Sequence, residues 1–167
     1  MKFEFTKKDL IETKMGYSIF VSNEGYYTNG VIIASSKVAK LSTELLNFFQ
    51  IKEEPTCIEV KVVKKVVQDP CFPRSLARFL PEGSNAIDCL GLVSYPDDGN
   101  CMIFKTDNGF VKIDKDLHQR VQQIYLAHPR RHKIKIGIYH NSVVYWDLAN
   151  AEMLFRIVGK YNIEKTK

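Results

Sequence analysis

The chain has 167 residues, of which 45% are hydrophobic and 26% are charged. This composition is typical of a globular protein and excludes a chain that is disordered throughout. The formal net charge of +5 permits an anionic partner without requiring one. No apolar run is long enough to span a membrane, and a charged stretch follows Met1 where a signal peptide would be apolar. The sequence therefore predicts a cytoplasmic protein without a membrane partner.

The first predicted elements are a hairpin and a helix. Within residues 19–27, IFVSNEGYY, an Asn shortly before a Gly lies between β-forming residues. This pattern predicts a hairpin over residues 17–34. Apolar residues then recur at spacings of three and four behind a serine N-cap, which predicts an amphipathic helix over residues 35–49. Its apolar face consists of Val38, Leu41, Leu45 and Phe48.

A strand and a proline-rich boundary follow this helix. Alternating apolar residues predict a strand within residues 56–67, and residues 74–80 are a candidate for a short helix. Regular structure is then interrupted by Pro70, Pro73, Pro81 and Gly83. We therefore expect two halves, residues 1–84 and residues 85–167, that share one core as a single compact domain.

The second half predicts two hairpins and a second helix. A turn-forming stretch, PDDGN, predicts a hairpin within residues 88–106. Residues 103–111, IFKTDNGFV, resemble the first hairpin and predict another over residues 101–113. An amphipathic helix is expected over residues 114–128, with Asp114 at its start and an apolar face that consists of Leu117, Val121 and Ile124.

Alternation of isoleucines predicts a strand within residues 132–139, and residues 149–158 are the last helical candidate. We predict an α+β fold, a mostly antiparallel sheet with two main helices. Each half reads as a strand-strand-helix-strand unit, so internal duplication is one hypothesis. From Tyr26 onward the order of elements resembles the topology of a DNA sliding-clamp domain, which implies two similar halves side by side. The resemblance concerns topology alone.

Basic residues are densest where the second helix passes into its strand. We predict that this segment binds an anionic partner, nucleic acid or an acidic protein surface, because Arg and Lys hold phosphate or carboxylate oxygens. The predicted contacts are His128, Arg130, Arg131, His132, Lys133 and Lys135. Both arginines follow Pro129 and are expected to project freely into water. A second group is Lys61, Lys64 and Lys65. The alternative for both groups is an ordinary solvated surface.

Six aromatic residues near predicted turns and strands are candidates for stacking on nucleic-acid bases. They are Tyr26, Tyr27, Phe110, Tyr139, Tyr145 and Trp146. The alternative for most of them is packing in the core. Exposure of Tyr27 or Trp146 would favour stacking.

The sequence contains no complete catalytic or cofactor signature. Glu59 and Lys61 match the end of a metal-nuclease pattern, but a second carboxylate on the preceding strand is missing. His128 and His132 have a zinc-like spacing that is interrupted by a proline. The four cysteines form no C-x-x-C pair and are expected to be reduced. We therefore expect no metal and no cofactor.

These patterns together favour a small non-enzymatic binding protein that uses its basic loop. Such a chain is also typical of accessory proteins of viruses and mobile elements. Two alternatives come from other classes of function. One is a hydrolase or nuclease whose site is assembled from scattered Glu, Asp and His residues, and the other is a structural subunit of a larger assembly.

Overall fold

The computed structural model describes residues 1–13, 16–21, 24–48, 58–62 and 76–160. The chain divides into two compact units, Met1–Leu80 and Pro81–Lys167. The limit between them lies in the proline-containing stretch in which the sequence predicts a boundary.

The first unit contains seven strands and one short helix in its described part. They are β1 (Phe3–Phe5), β2 (Ile11–Thr13), β3 (Gly16–Val21), β4 (Tyr26–Thr28), β5 (Ile32–Ser35), β6 (Ala39–Leu41), α1 (Thr43–Phe48) and β7 (Ile58–Val62). Strand β3 pairs antiparallel with β2, β4 and β7, and β4 pairs antiparallel with β5. The predicted first hairpin is β3 with β4, and Gly25 supplies the positive φ, +84°, near its turn.

Strand β1 lies beside β6 in a parallel pair that joins two distant parts of the sequence. Its two phenylalanines, Phe3 and Phe5, are buried, while Glu4 between them is exposed. The ring of Phe5 also lies 6.0 Å from that of Tyr27, measured between centroids. Period-two alternation thus places one face of β1 in the core.

The predicted helix over residues 35–49 is wrong in its first part. Residues 39–41 form β6, and the helix begins only at Thr43. Ala39 and Leu41 are buried on either side of an exposed residue, and their backbone pairs with β1. This long-range pairing outweighs the local helical spacing. The capping residue is Ser42 and not a serine at the start of the predicted helix, because Ser42 Oγ accepts a hydrogen bond from the Leu45 N–H at 3.1 Å.

The second unit contains six strands and one long helix in its described part. They are β8 (Val93–Pro96), β9 (Cys101–Thr106), β10 (Gly109–Asp114), α2 (Lys115–Ala127), β11 (Ile134–Tyr139), β12 (Ser142–Asp147) and β13 (Glu152–Val158). Strands β8, β9 and β10 form an antiparallel sheet with β9 in the middle. Strand β12 pairs antiparallel with both β11 and β13. Both hairpins predicted between residues 88 and 113 are confirmed.

Helix α2 is confirmed with its predicted cap and apolar face. The carboxylate of Asp114 accepts a hydrogen bond from the Leu117 N–H at 3.0 Å. Leu117, Val121 and Ile124 are all buried. Gln122, on the same helix, accepts a hydrogen bond from the Tyr145 hydroxyl of β12 at 3.3 Å. Helix and strands therefore share the core of the second unit.

The helical candidate at residues 149–158 is wrong, because this segment forms β13. Five consecutive residues of the strand, from Met153 to Ile157, are buried. A run buried on both faces shows no alternation and cannot be distinguished from a helix by periodicity. Asp147 ends β12 and accepts a hydrogen bond from the Ala149 N–H at 2.9 Å, which starts the turn into β13.

The fold is α+β, with two α-helices in the described residues and mostly antiparallel strands. Internal duplication is not confirmed. Strands β5 and β6 separate the first hairpin from its helix, α1, whereas α2 follows β10 directly. No helix in the described ranges is long and apolar enough to cross a membrane.

Candidate functional site

The predicted basic segment is a compact turn between α2 and β11. The helix ends at Ala127, and residues Arg131–Lys133 form a single 3-10 turn before the strand begins. His128 shapes the turn, because its Nδ1 accepts a hydrogen bond from the Arg130 N–H at 3.1 Å. This nitrogen therefore already has a hydrogen-bond partner within the turn.

Arg130 is not free, contrary to the sequence prediction. Its Nη2 donates to Oδ2 of Asp147 at 3.1 Å, and the Asp147 side chain is only 1% exposed against 46% for Arg130. Asn150 donates to the same carboxylate oxygen at 3.0 Å. A buried carboxylate requires such partners, since an unpaired buried charge is costly. Arg130 thus ties the basic turn to the β12–β13 turn.

These contacts determine how the Asp147 carboxyl titrates. Burial by itself would raise its pKa, but hydrogen bonds from Arg130, Asn150 and the Ala149 backbone outweigh burial, and the pKa lies below the ordinary 3.8. A carboxylate whose pKa is lowered by folding stabilises the protein above the pKa of the unfolded chain. That stability is lost as pH falls through the folded-state pKa.

We expect Asp147→Asn to lower the free energy of unfolding at pH 7 and to flatten its decline below about pH 4, near the unfolded pKa of an aspartate. Denaturant titrations at several pH values measure both effects. The same substitution at Asp98, which is exposed in the β8–β9 turn, is the control. A decline below pH 4 as steep as in the wild type would contradict this role for Asp147.

Arg131 and Lys135 are also engaged. Arg131 Nη1 donates to the carbonyl oxygen of Leu126 at 2.7 Å, at the C-terminal end of α2, where a cation is favourable. The Nζ of Lys135 donates to the Ser84 carbonyl oxygen at 2.7 Å, and Lys135 is half-buried. Lys135 is therefore a structural contact in this state and not part of an open basic surface.

His132 and Lys133 are exposed, and their side chains form no hydrogen bond or ion pair with the rest of the described chain. Residues 130–133 of the turn therefore carry side chains of two kinds. Arg130 and Arg131 are held in place by the fold, whereas His132 and Lys133 extend into solvent.

Two exposed leucines border this turn. Leu126 is 52% exposed, and its carbonyl is bound by Arg131. Leu148 is 48% exposed, and its N–H donates to the Lys133 carbonyl oxygen at 2.9 Å. The backbone contacts place both leucines next to the cations. We name this surface the basic–leucine patch, which consists of Leu126, Arg130, Arg131, His132, Lys133 and Leu148.

Sequence reasoning missed both leucines and Asp147. Leu126 comes about two and a half turns after Leu117, on the face of α2 opposite the apolar stripe. The sequence therefore contained a signal for an exposed leucine, because Leu126 lies outside the apolar stripe. Leu148 follows a strand of buried residues and looks like its continuation. Only the turn at Asp147 shows that the strand has ended.

The second predicted group of contacts is described only in part. Lys64 and Lys65 lie outside the described residues, and Lys61 belongs to β7, for which only backbone pairing is described. Most of the aromatic candidates for stacking are core residues. Those that are buried are Tyr26, Tyr27, Tyr145 and Trp146. Tyr139 is half-buried, and Phe110 is 41% exposed.

Within the described ranges, no three His, Cys, Asp or Glu residues lie close enough together to hold a metal ion. The described cysteines, Cys89 and Cys101, are free thiols. Comparison with protein-family models, curated proteins and solved structures finds no match. The topological resemblance to a sliding-clamp domain therefore stays a prediction.

Proposed function

We propose that this protein is a non-enzymatic binding protein whose second unit recognises an acidic protein segment through the basic–leucine patch. The observation that carries the proposal is the placement of Leu126 and Leu148, each about half exposed, directly beside the basic turn. An acidic segment that also carries apolar side chains is complementary to both features of this patch.

The patch suits protein better than nucleic acid because two exposed leucines, Leu126 and Leu148, flank its cations. Leucine side chains have no role at a phosphate backbone. In protein interfaces, by contrast, anchored arginines beside apolar side chains are a common source of binding energy.

The proposal includes action in the cytoplasm, as the sequence predicts, and it is compatible with an accessory protein of a virus or mobile element. It requires only that the partner present carboxylates and at least one apolar side chain together. Opposite charge then steers the encounter, while burial of leucine side chains favours the bound state.

The test uses fluorescence anisotropy with labelled peptides of Glu and Leu, and with matched peptides in which each Leu is replaced by Ser. We expect the wild type to prefer the Glu-Leu peptides. Lys133→Glu, and separately the double variant Leu126→Ser and Leu148→Ser, should each weaken binding about fivefold or more, as for contacts worth over 1 kcal/mol. The matched control is Lys105→Glu, an exposed lysine outside the patch.

Three outcomes would count against this function. The leucine double variant could bind as the wild type does, the Ser-substituted peptides could bind equally well, or no peptide could bind. If a single-stranded oligonucleotide bound and lost affinity with Lys133→Glu, the basic turn would be a phosphate contact instead.

A further inference from the structure

The sheet formed by β8, β9 and β10 presents two rows of side chains on one face. Across the three strands, Val93 pairs with Lys105, which pairs with Phe110. In the next row on the same face, Tyr95 pairs with Ile103, which pairs with Lys112. Directly opposed residues of antiparallel strands point to the same side of a sheet. These six side chains therefore share a surface, named here the outer face.

The outer face is open, whereas the opposite face lies in the core along β9 and β10 and is exposed along β8. Val93, Tyr95 and Phe110 are 53%, 44% and 41% exposed. On the other side of the sheet, Phe104 and Val111 are 3% and 6% exposed. An antiparallel sheet with one face on the core normally carries polar residues on its other face. Here two exposed aromatic rings and an exposed valine occupy three of the six positions.

The cations of the outer face lie among these apolar groups. Lys105 is exposed and lies between Val93 and Phe110 in its row. Lys112 is half-buried, and its Nζ lies 3.9 Å from Asp97. A purely apolar partner would cover the Lys105 ammonium without offering it a counter-charge, which is unfavourable. The outer face is therefore complementary to a ligand that has flat apolar groups and negative charge.

We infer that the outer face binds single-stranded nucleic acid, with bases stacked on Tyr95 and Phe110 and a phosphate held by Lys105. Aromatic platforms combined with cations are the usual means of binding single strands without sequence preference. From ordinary strand spacing and rise, the two rings are about 12 Å apart along a diagonal of the sheet. Lys105 and Ile103 lie on the strand between them, where the connecting backbone would pass.

This inference does not depend on the proposed function, because the outer face and the basic–leucine patch share no residue. A protein with both surfaces would connect a single strand to an acidic protein segment. Each surface can therefore fail without the other, and variants in one are controls for the other.

The experiment measures fluorescence anisotropy of a labelled polythymidine strand against the full chain at two salt concentrations. We expect Tyr95→Leu and Phe110→Leu each to weaken binding about fivefold or more, since base stacking is worth about 1–3 kcal/mol per base. Leucine keeps the apolar area but removes the ring face. Phe110→Trp should retain binding. Lys105→Glu should weaken binding and reduce its dependence on salt.

The control is Leu126→Ser in the basic–leucine patch, which should leave oligonucleotide binding unchanged. Circular dichroism verifies folding of each variant, and these exposed positions should be tolerated. Absence of binding by the wild type would overturn the inference, as would full affinity in both leucine variants. Equal affinity for a blunt duplex of the same length would also overturn it, because paired bases cannot stack on the rings.

If Tyr95→Leu and Phe110→Leu keep full affinity and the wild-type chain self-associates, the outer face is instead a contact between two copies of the chain. Light scattering of the wild type and of Val93→Ser distinguishes that case. The inference is supported if the wild type is a monomer that binds the single strand and the Tyr95→Leu variant does not bind it.

Discussion

Arg130→Glu is expected to lower the free energy of unfolding of the second unit by about 3 kcal/mol, the lower end of the cost of breaking a buried ion pair. The substitution removes the guanidinium from Asp147 and places a second carboxylate beside it, while the Asp147 side chain is 1% exposed. Because Arg130 itself is about half in solvent, the larger costs of fully buried pairs do not apply. Urea denaturation monitored by tryptophan fluorescence measures the loss.

Arg131→Glu is the matched control, with the same change of charge one residue away. Arg131→Glu removes the hydrogen bond to the Leu126 carbonyl and places an anion at the last turn of α2. This change should lower the free energy of unfolding by about 1 kcal/mol or less. Equal losses for the two variants would contradict the role given to the Arg130–Asp147 pair. Binding studies of the patch should therefore substitute Lys133 and leave Arg130 in place.

Gly137→Ala should be the second strongly destabilising change, with a cost of about 2 kcal/mol, in the range of overpacked cores. A Cβ at this position in β11 would lie 2.6 Å from Cγ2 of Ile87 and 2.7 Å from the backbone oxygen of Asp88. That oxygen accepts a hydrogen bond from the Ile138 N–H at 2.8 Å, so the neighbouring backbone cannot withdraw without loss.

Gly83→Ala is the control for this substitution, because a Cβ there meets nothing within 4 Å and the backbone is extended. Thermal melting of the two variants gives the comparison. An unchanged melting temperature for Gly137→Ala would mean that the 87–88 segment moves aside easily. In that case the bridge between Asp88 and Ile138 contributes little to stability.

The sequence predicted those elements whose signal is local. Helix α2 combines a capping aspartate, an apolar stripe and a length that leaves no competing interpretation. The hairpin of β9 and β10 is specified by turn residues between β-formers. Strand β6 was missed because its partner β1 is far away in sequence, and β13 was missed because it is buried on both faces. Neither pairing with β1 nor burial on both faces can be read from a short window.

The same distinction applies to the candidate site. The sequence indicated that Arg130 and Arg131 lie in a loop after Pro129, but it did not indicate which groups they bind. Asp147 lies on another hairpin, and the bond that Arg131 makes to Leu126 is to backbone, which carries no sequence signal. The outer face required the register of three strands, because Tyr95 and Phe110 share a surface only when both flank β9.

The parallel pairing of β1 with β6 has a consequence for synthesis of the chain. Phe3 and Phe5 of β1 are synthesised before β6, the strand that pairs with β1 and ends at Leu41. Until Leu41 has followed, two large aromatic side chains have no native neighbour on that strand. Parallel pairs with distant partners close slowly because loop entropy must be lost first. We therefore expect the β1–β6 pair to form after the local hairpin of β3 and β4.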